Sequence, residues 1–234
     1  MRFKLHLSPN ETLVPFVNQE HLNGAIHKWL GRKNKYHDDL SNYSISGLLG
    51  GKQAGEGLKY EKGFIVASSP DIDFLSKLIR GISIDPIIDW GMKVVKFEQI
   101  KEDVVEGKNL VFALSPIFLK ERISQGEKRI YTYEDIDANE YMTRTLKHKI
   151  QRLNPNINLD NFRVEFSNST KSLISRSIKR IVVHEDETKK SANQCPIMIY
   201  GSKEAAEFCL NIGIGKNTGS GFGCITTQWE RFYN

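Results

Sequence analysis

Residues 109–116 read Asn-Leu-Val-Phe-Ala-Leu-Ser-Pro, and they echo residues 3–9, which read Phe-Lys-Leu-His-Leu-Ser-Pro. Successive side chains of a strand point to opposite faces, so the alternation of polar and apolar residues over residues 2–7 predicts a half-buried strand. Both stretches end in Leu-Ser-Pro, about 107 residues apart, which is too long a period for a solenoid and suits a duplicated domain. The sequence therefore predicts two domains that each open with such a strand.

The first half of the chain shows the element order of one small domain. Apolar residues at helical spacing between Asn18 and Leu30 predict a helix, which Gly31 ends. A second helix and further strands follow, and these are predicted over residues 70–80 for the helix and over residues 43–46, 64–68 and 92–100 for the strands. The resulting order is β-α-β-β-α-β, which is that of the ferredoxin-like fold.

The second half repeats this order with one additional strand. After the strand at residues 109–116, its predicted elements are a helix at 134–153, strands at 162–166, 177–184 and 195–200, a helix at 204–210 and a last strand at 222–229. The polar residues 102–108 predict the boundary between the halves. We therefore expect an α+β protein with two tandem ferredoxin-like domains, residues 1–105 and residues 106–234.

Composition excludes several classes of protein. The chain has 234 residues, of which 39% are hydrophobic and 26% charged, so it suits a packed core and not a disordered tail. Its three cysteines form no C-x-x-C pair, so we expect neither a disulfide framework nor a zinc knuckle, and a cytoplasmic location fits. No run of about 18 apolar residues occurs, so no membrane partner is expected. The net charge of +5 and the pI near 9.0 favour a polyanionic partner such as nucleic acid.

The most unusual segment is residues 213–223, Gly-Ile-Gly-Lys-Asn-Thr-Gly-Ser-Gly-Phe-Gly, which we call the glycine-rich loop. Its glycines free the backbone to approach a ligand and to direct N–H groups at anionic oxygens. P-loops and Rossmann turns open a helix, whereas this loop is predicted to enter a strand, so it is neither. Lys216, Asn217 and Ser220 add phosphate-binding side chains and favour an anion-binding loop; the alternative is a plain turn. The five glycines are Gly213, Gly215, Gly219, Gly221 and Gly223.

The loop and its setting bring a resemblance to a known family. A loop of this spacing, on a chain of two ferredoxin-like halves that begins Met-Arg-Phe, resembles the RAMP superfamily and, within it, the CRISPR-associated endoribonucleases that cut precursor CRISPR RNA. Four further segments follow the order of that family: Leu22-Asn-Gly-Ala-Ile-His27, Tyr43-Ser44, Tyr60-Glu-Lys-Gly-Phe64 and Leu114-Ser-Pro116. The likeness therefore extends over nearly the whole chain.

The resemblance implies a reaction and a partner. The implied reaction is cleavage within each CRISPR repeat without a metal ion or other cofactor: a 2′-hydroxyl attacks the neighbouring phosphate and a 5′-hydroxyl leaves. CRISPR repeat RNA is the implied partner, and other CRISPR effector subunits and a homodimer are left open. The local carboxylate pairs have no histidine or cysteine at metal-ligand spacing, so no metal site is expected.

Two histidines are candidates for catalysis, because histidine transfers protons near neutral pH. In the resembled family the catalytic histidine lies in the first helix or in the loop after it, which corresponds here to His27 and His37. His37 is favoured because it lies closer to the strand at Tyr43. Family members often carry a lysine between that histidine and the strand; none stands there in this sequence, so Lys52 or Lys35 is the candidate for the positive charge.

Two further segments are candidates for RNA contacts. Lys35 and Tyr36, just before His37, offer a phosphate contact and a ring for stacking. Residues 171–180 carry four positive charges and no acidic residue, at Lys171, Arg176, Lys179 and Arg180. The alternative for this second segment is a solvated edge strand protected by its charges. Of the other histidines, we expect His6 to belong to a sheet and His21, His148 and His184 to be ordinary surface residues.

Two rival functions follow from the same residues. A non-catalytic RNA-binding RAMP subunit of a CRISPR effector complex would share the fold and the loop, and the missing lysine favours it. A ferredoxin-like protein that binds a small anionic metabolite would explain the loop but neither the duplication nor the basic segment. Cleavage of repeat RNA separates the endoribonuclease from both.

Overall fold

The computed structural model describes residues 1–31, 34, 36, 40–124, 127–167, 178–183 and 189–233. Its framework is a pair of four-stranded antiparallel sheets, one from each half of the chain. Among the described helices, none has the length and apolar composition that crossing a membrane requires.

The first domain has one main sheet, two helices and a small hairpin. Its elements are β1 (Arg2–Leu7), α1 (Gln19–Leu30), β2 (Ser44–Ile45), β3 (Lys52–Ala54), β4 (Gly57–Lys59), β5 (Phe64–Ser68), α2 (Ile72–Ile84) and β6 (Val94–Gln99). The main sheet has the order β2-β5-β1-β6, and β3 pairs with β4. Leu5 and Leu7 of β1 lie in one core with Leu22 and Ile26 of α1 and Leu78 of α2, so the helices cover one face of the sheet.

The second domain repeats the four-stranded sheet and the two longer helices, and it has two hairpins where the first domain has one. Its elements are β7 (Gly107–Ala113), β8 (Leu119–Arg122), β9 (Lys128–Tyr131), α3 (Ala138–Leu153), β10 (Arg163–Phe166), β11 (Ile178–Val183), β12 (Lys189–Gln194), β13 (Ile197–Gly201), α4 (Lys203–Ile212), β14 (Ile225–Thr226) and α5 (Glu230–Tyr233). The main sheet has the order β10-β13-β7-β14, and β8–β9 and β11–β12 are the hairpins. In both sheets the main strands lie in the order second, third, first, fourth. The α+β fold with two tandem ferredoxin-like domains is confirmed.

Two differences from the predicted elements have physical causes. The last strand was predicted over residues 222–229, but β14 has two residues. Gly221 and Gly223, with φ of +83° and +64°, have a backbone that a strand excludes, and α5 follows soon after β14. The short hairpins were not predicted, because strands of three or four largely charged residues, such as 128–131, show no clear alternation.

Arg2 ties the two domains together. Its side chain is 3% exposed, and it donates to the carbonyl oxygens of Leu210, at 2.9 Å, and Ile225. It also forms an ion pair with Glu102, with Nε and Oε1 3.1 Å apart. Glu102 in turn accepts hydrogen bonds from the backbone N–H and the hydroxyl of Thr227, at 2.9 and 2.7 Å. This network links β1 of the first domain to α4 and β14 of the second.

Candidate functional site

The glycine-rich loop connects α4 to β14 and follows a backbone path that requires glycine. Gly213, Gly215, Gly221 and Gly223 have φ of +71°, +89°, +83° and +64°, which residues with a side chain rarely adopt. At Gly223 a Cβ atom would lie 1.9 Å from the carbonyl oxygen of Ile214, which is closer than any atom can approach. The conformation of the loop is therefore specified by its glycines.

The loop packs tightly against the first domain. A Cβ at Gly219 would lie 2.6 Å from the ring of Tyr43, and one at Gly213 would lie 2.8 Å from Oγ of Ser44. The hydroxyl of Thr218 donates to the carbonyl oxygen of Tyr43 at 3.0 Å. Several glycines thus allow close contact between the domains, and this part of the loop is buried.

The tip of the loop is open to solvent. Lys216 and Asn217 are exposed, and Ser220 is half-buried. The backbone N–H of Lys216 donates to the carbonyl oxygen of Phe118 at 2.8 Å, and that of Ser220 donates to the carbonyl oxygen of Asn217 at 2.9 Å. The backbone of the tip is therefore fixed while its polar side chains reach into solvent.

A cavity of about 470 Å³ opens beside this tip, between the two domains. Leu40 and Ser41 of the first domain line it, and its other polar lining residues include Arg144, Thr145, His148 and Lys149 of α3 and Lys216, Asn217 and Thr218 of the loop. Among the described residues that line it, none is acidic, although Arg144 also pairs with Glu121 at 2.7 Å. We call this the basic cavity; its charge suits a phosphate group.

Lys149 of α3 forms hydrogen bonds at the buried base of the glycine-rich loop. Its side chain is buried, and Nζ donates to the carbonyl oxygen of Ile212 at 2.9 Å and to Oγ1 of Thr218 at 3.1 Å. Burial lowers the pKa of Lys149 to about 7, and the charge of Lys216 acts in the same direction. A chain of hydrogen bonds thus runs from α3 through the hydroxyl of Thr218 to Tyr43 in the first domain.

The two candidate catalytic histidines differ in what the structure describes. His27 lies on α1 and is half-buried. One turn earlier Gly24 is exposed, with no atom within 4 Å of the position of a Cβ, so the surface of the helix beside His27 is open. His37 lies outside the described residues, so its role stays a prediction.

The other predicted contacts have diverse positions. Lys35, Lys171 and Arg176 also lie outside the described residues. Lys179 and Arg180 belong to β11 and stand opposite residues of β12 in the hairpin. That hairpin is separate from both main sheets.

Tyr36 and Lys52 have contrasting environments. Tyr36 is 6% exposed, packs edge-on against Phe74 with ring centroids 5.2 Å apart, and donates to Oδ2 of Asp71 at 3.3 Å. Burial, together with Asp71, raises the pKa of Tyr36 to about 12. A ring in this position packs the core, so we leave it out of the site proposed below. Lys52 begins β3 and is exposed.

Sequence reasoning missed the contribution of α3. Arg144, His148 and Lys149 line the basic cavity, although His148 was expected to be an ordinary surface residue. A signal was present in the helix. Lys149 falls on the buried stripe that includes Leu146 and Ile150, and a lysine on such a stripe needs a polar partner.

Metal-ligating side chains are not grouped in the described part of the chain. Those residues contain no cluster of three or more histidine, cysteine, aspartate or glutamate side chains that could hold a metal ion. The cysteines Cys195, Cys209 and Cys224 are buried and free. Burial raises the pKa of Cys195 to about 11 and that of Cys209 to about 12, so these thiols are neutral at physiological pH.

Comparisons with known proteins agree with this architecture. Residues 99–227, more than half of the chain, match the family model of the CRISPR associated protein Cas6, C-terminal. A solved structure described as CRISPR associated protein Cas6 is 19% identical, with a TM-score of 0.79 over 97% of this chain and 98% of that one. A search of curated proteins found no match.

Two further solved structures show the same fold. A Cas6-related protein from Pyrococcus furiosus is 18% identical, with a TM-score of 0.81 over 97% of both chains. A RAMP protein described as binding different RNA substrates is 16% identical, with a TM-score of 0.81 over 97% of this chain and 98% of that one.

The chain shares the fold of these solved structures, two ferredoxin-like domains, and the glycine-rich loop of its second domain packs against the first. Among proteins of this fold the family model is specific. The chain belongs to the Cas6 family of CRISPR-associated proteins.

Proposed function

We propose that this protein is an endoribonuclease that binds CRISPR repeat RNA and cleaves precursor CRISPR RNA within the repeat, without a metal ion. The observation that carries the proposal is the basic cavity, where the tip of the glycine-rich loop, α3 and the first domain meet. Membership of the Cas6 family supports CRISPR RNA as the substrate. A structural relative described as binding different RNA substrates supports RNA as the ligand.

The cavity has the electrostatic properties that a phosphodiester requires. Lys216 and Arg144 are exposed at its wall, and Lys149 lies buried behind them. Fixed positive groups stabilise the additional charge that a pentacoordinate phosphorus develops during attack, and a partly enclosed site strengthens that effect. Lys216 and Arg144 supply the charge for which sequence reasoning had considered Lys35 and Lys52.

The predicted histidine connects to this cavity through the chain itself. Leu40 and Ser41 line the cavity and follow His37 by three and four residues in the sequence. This closeness in sequence supports His37 as the histidine of the proposed site. In the proposed reaction His37 acts as the proton-transferring group for the 2′-hydroxyl or the leaving 5′-oxygen, with His27 as its partner or replacement.

Binding geometry would supply much of the rate. Turning the 2′-oxygen in line with the scissile phosphate removes an orientational barrier, and one histidine then adds about 10²–10⁴-fold as acid or base. The rigid backbone of the loop tip suits this positioning role, because Lys216 and Ser220 are fixed by backbone hydrogen bonds.

The test incubates the protein with labelled repeat RNA in EDTA, beside a copy with a 2′-deoxy nucleotide at the cleavage position. Cleavage of the all-ribose RNA alone is expected, since the attacking group is the 2′-hydroxyl. His37→Ala, His27→Ala and His21→Ala are compared with the parent protein. His21 is a matched control, because it is exposed on the same helix and pairs with Asp89 at 2.7 Å.

The outcomes separate the functions. Loss of cleavage with retained binding in His37→Ala or His27→Ala, but not in His21→Ala, supports the proposal. Tight binding without cleavage in any condition would reject it in favour of a non-catalytic RNA-binding subunit. Activity that EDTA abolishes would reject the metal-independent reaction.

A further inference from the structure

One face of the second main sheet is turned away from the helices of its own domain. Val111, Val164 and Ile199 of its three adjacent strands enter the core with α3 and α4. Because side chains alternate, their neighbours along each strand point to the opposite face. That face carries Lys108, Leu110 and Phe112 of β7, Arg163 and Glu165 of β10, and Met198 and Tyr200 of β13.

Three of these residues form one row across the strands. Arg163 stands opposite Tyr200, and Tyr200 stands opposite Lys108. The guanidinium carbon of Arg163 lies 3.6 Å from the centroid of the Tyr200 ring, and Nζ of Lys108 lies 5.8 Å from it. Arg163 and Lys108 are exposed, and Tyr200 is half-buried. The row is therefore a flat cationic and aromatic surface open to solvent.

Glu165 holds this surface in place. Its Oε1 accepts a hydrogen bond from the hydroxyl of Tyr200 at 2.6 Å, and its Oε2 lies 3.9 Å from Nε of Arg163. The hydrogen bond to Glu165 raises the pKa of Tyr200, so the phenol stays neutral. Since Arg163 and Tyr200 are already held in this arrangement, their side chains lose little conformational freedom when a planar ligand stacks on them.

A cavity of about 340 Å³ adjoins the row. Besides Arg163 and Tyr200 it is lined by Glu106, Gly107, Asn158, Asp160, Asn161, Gly201 and Ser202. Amide, carboxylate and hydroxyl groups of this kind hydrogen-bond the edges of bases. At Gly107 no atom lies within 4 Å of the position of a Cβ, so a ligand can reach the backbone there.

This surface is separate from the glycine-rich loop. Lys108 lies five residues before Ala113, the residue of β7 that pairs with β14 at the end of the loop. At the rise of a strand this corresponds to about 17 Å along β7. A single-stranded RNA in the basic cavity would need several further nucleotides to reach the row.

We propose that Arg163, Tyr200 and Lys108 form a second RNA subsite, which binds one unstacked nucleotide of single-stranded RNA. The base stacks on the guanidinium plane of Arg163, the other side of which rests on Tyr200, and a flanking phosphate pairs with Lys108. The edge of the base faces the polar groups of the adjoining cavity. RNA fits better than an acidic peptide, because the guanidinium and the phenol together present a planar surface of the size of a base.

The test measures binding of a labelled, unstructured single-stranded RNA of about ten nucleotides by fluorescence anisotropy. Arg163→Ala and Tyr200→Ala are expected to weaken binding about tenfold, as the loss of one stacked base does. Arg163→Lys is expected to weaken it also, without changing its salt dependence, since the charge remains and the plane is lost. Arg152→Ala is the matched control, because Arg152 is an exposed arginine at the end of α3.

The measurement is independent of cleavage. The inferred subsite rests on RNA being the ligand, as in the proposed function. A protein that binds RNA without cutting it would give the same binding result. Tyr200→Phe keeps the ring and loses only the hydrogen bond to Glu165, so it is expected to bind more tightly than Tyr200→Ala. Equal weakening by Arg163→Ala and Arg152→Ala, or full binding by Arg163→Lys, would overturn the subsite and leave diffuse charge attraction.

Discussion

The two domains share one topology but differ where the last helix leads into the last strand. In the first domain, residues 85–93 fold back onto their own domain: the N–H of Ile88 donates to the carbonyl oxygen of Met92 at 2.9 Å, and Gly91 faces Glu11. In the second domain the corresponding connection, the glycine-rich loop, crosses to the first domain. The same position in the fold thus serves a local turn in one half and a contact between domains in the other.

The glycines of the two connections differ in what surrounds them. A Cβ at Gly91 would meet the side chain of Glu11, whose Cγ and carboxyl carbon can rotate away and whose Cβ, 2.7 Å away, can move only with its backbone. A Cβ at Gly219 would meet the buried ring of Tyr43, and one at Gly223 would meet the backbone carbonyl of Ile214. Neither of these groups can move aside. The high glycine content of residues 213–223 therefore goes with a connection that must pack closely against the other domain.

Breaking the link between the domains is expected to have the largest effect. Arg2→Ala leaves Glu102 buried without its counter-charge, which destabilises by about 3–5 kcal/mol. Lys28→Ala removes an ion pair within the first domain, with Nζ 2.9 Å from Oδ2 of Asp85, and is expected to change stability far less because that pair is exposed.

Urea unfolding measures both free energies. A double variant that also replaces Glu102 with Gln is expected to be less damaged than the sum of the two single variants. Equal effects of Arg2→Ala and Lys28→Ala would contradict a structural role for the contact between domains.

The glycine comparison is expected to give the next largest effect. Gly223→Ala should destabilise by about 2–4 kcal/mol, since it combines a left-handed backbone with an overlap that cannot relax. Gly91→Ala, also left-handed at φ +76°, should lose less, about 1–2 kcal/mol, because Cγ and the carboxyl carbon of Glu11 can rotate away and only its Cβ requires a small backbone shift. Thermal unfolding of the two variants compares them directly, and equal losses would show that backbone strain alone accounts for both.

Lys149 predicts a dependence of stability on pH. Its pKa falls from 10.5 to about 7 on folding, so between these values the unfolded state binds more protons than the folded state. The free energy of unfolding should therefore rise with pH in that window, by about 1 kcal/mol per pH unit, and should not change on this account below pH 7. Lys149→Met should remove the rise. Urea unfolding of both proteins at several pH values gives the difference, and parallel curves would contradict the prediction.

The smallest effects on stability are expected for two exposed lysines, and these variants test RNA binding without disturbing the fold. Lys216→Ala at the loop tip and Lys93→Ala at the end of residues 85–93 both remove an exposed lysine and should each change stability by less than about 0.5 kcal/mol. Only Lys216→Ala is expected to weaken the binding of repeat RNA, by several-fold. It should also lower the slope of the logarithm of the binding constant against the logarithm of salt concentration by about 1. Anisotropy titrations at several salt concentrations measure both, and an equal loss in Lys93→Ala would show that general charge is sufficient.

The fold was largely predictable because strands and helices have regular side-chain periods. The strand at residues 64–68 and the helix ending at Leu30 were found with those bounds. The end of the chain was not predictable, since the left-handed backbone at Gly221 and Gly223 interrupts an apolar segment that otherwise suits a strand.

The site was only partly predictable. Composition singled out the glycine-rich loop, but it gave no sign that Gly219 would lie against Tyr43, because that contact joins residues far apart in the sequence. Lys149 was missed because a lysine is usually assigned to the surface, and its two acceptors become apparent only when α3 and the loop are placed together.

The buried position of Arg2 also sets an order for biosynthesis. Arg2 leaves the ribosome 208 residues before its acceptor at Leu210 and 223 residues before that at Ile225. At about 5–20 residues per second, roughly 10–45 s pass between them. During that interval the first domain can fold, but the guanidinium of Arg2 stays hydrated because its acceptors in the second domain have not been made. The hydrogen bonds of Arg2 to the second domain can therefore form only after Leu210 and Ile225 have been made.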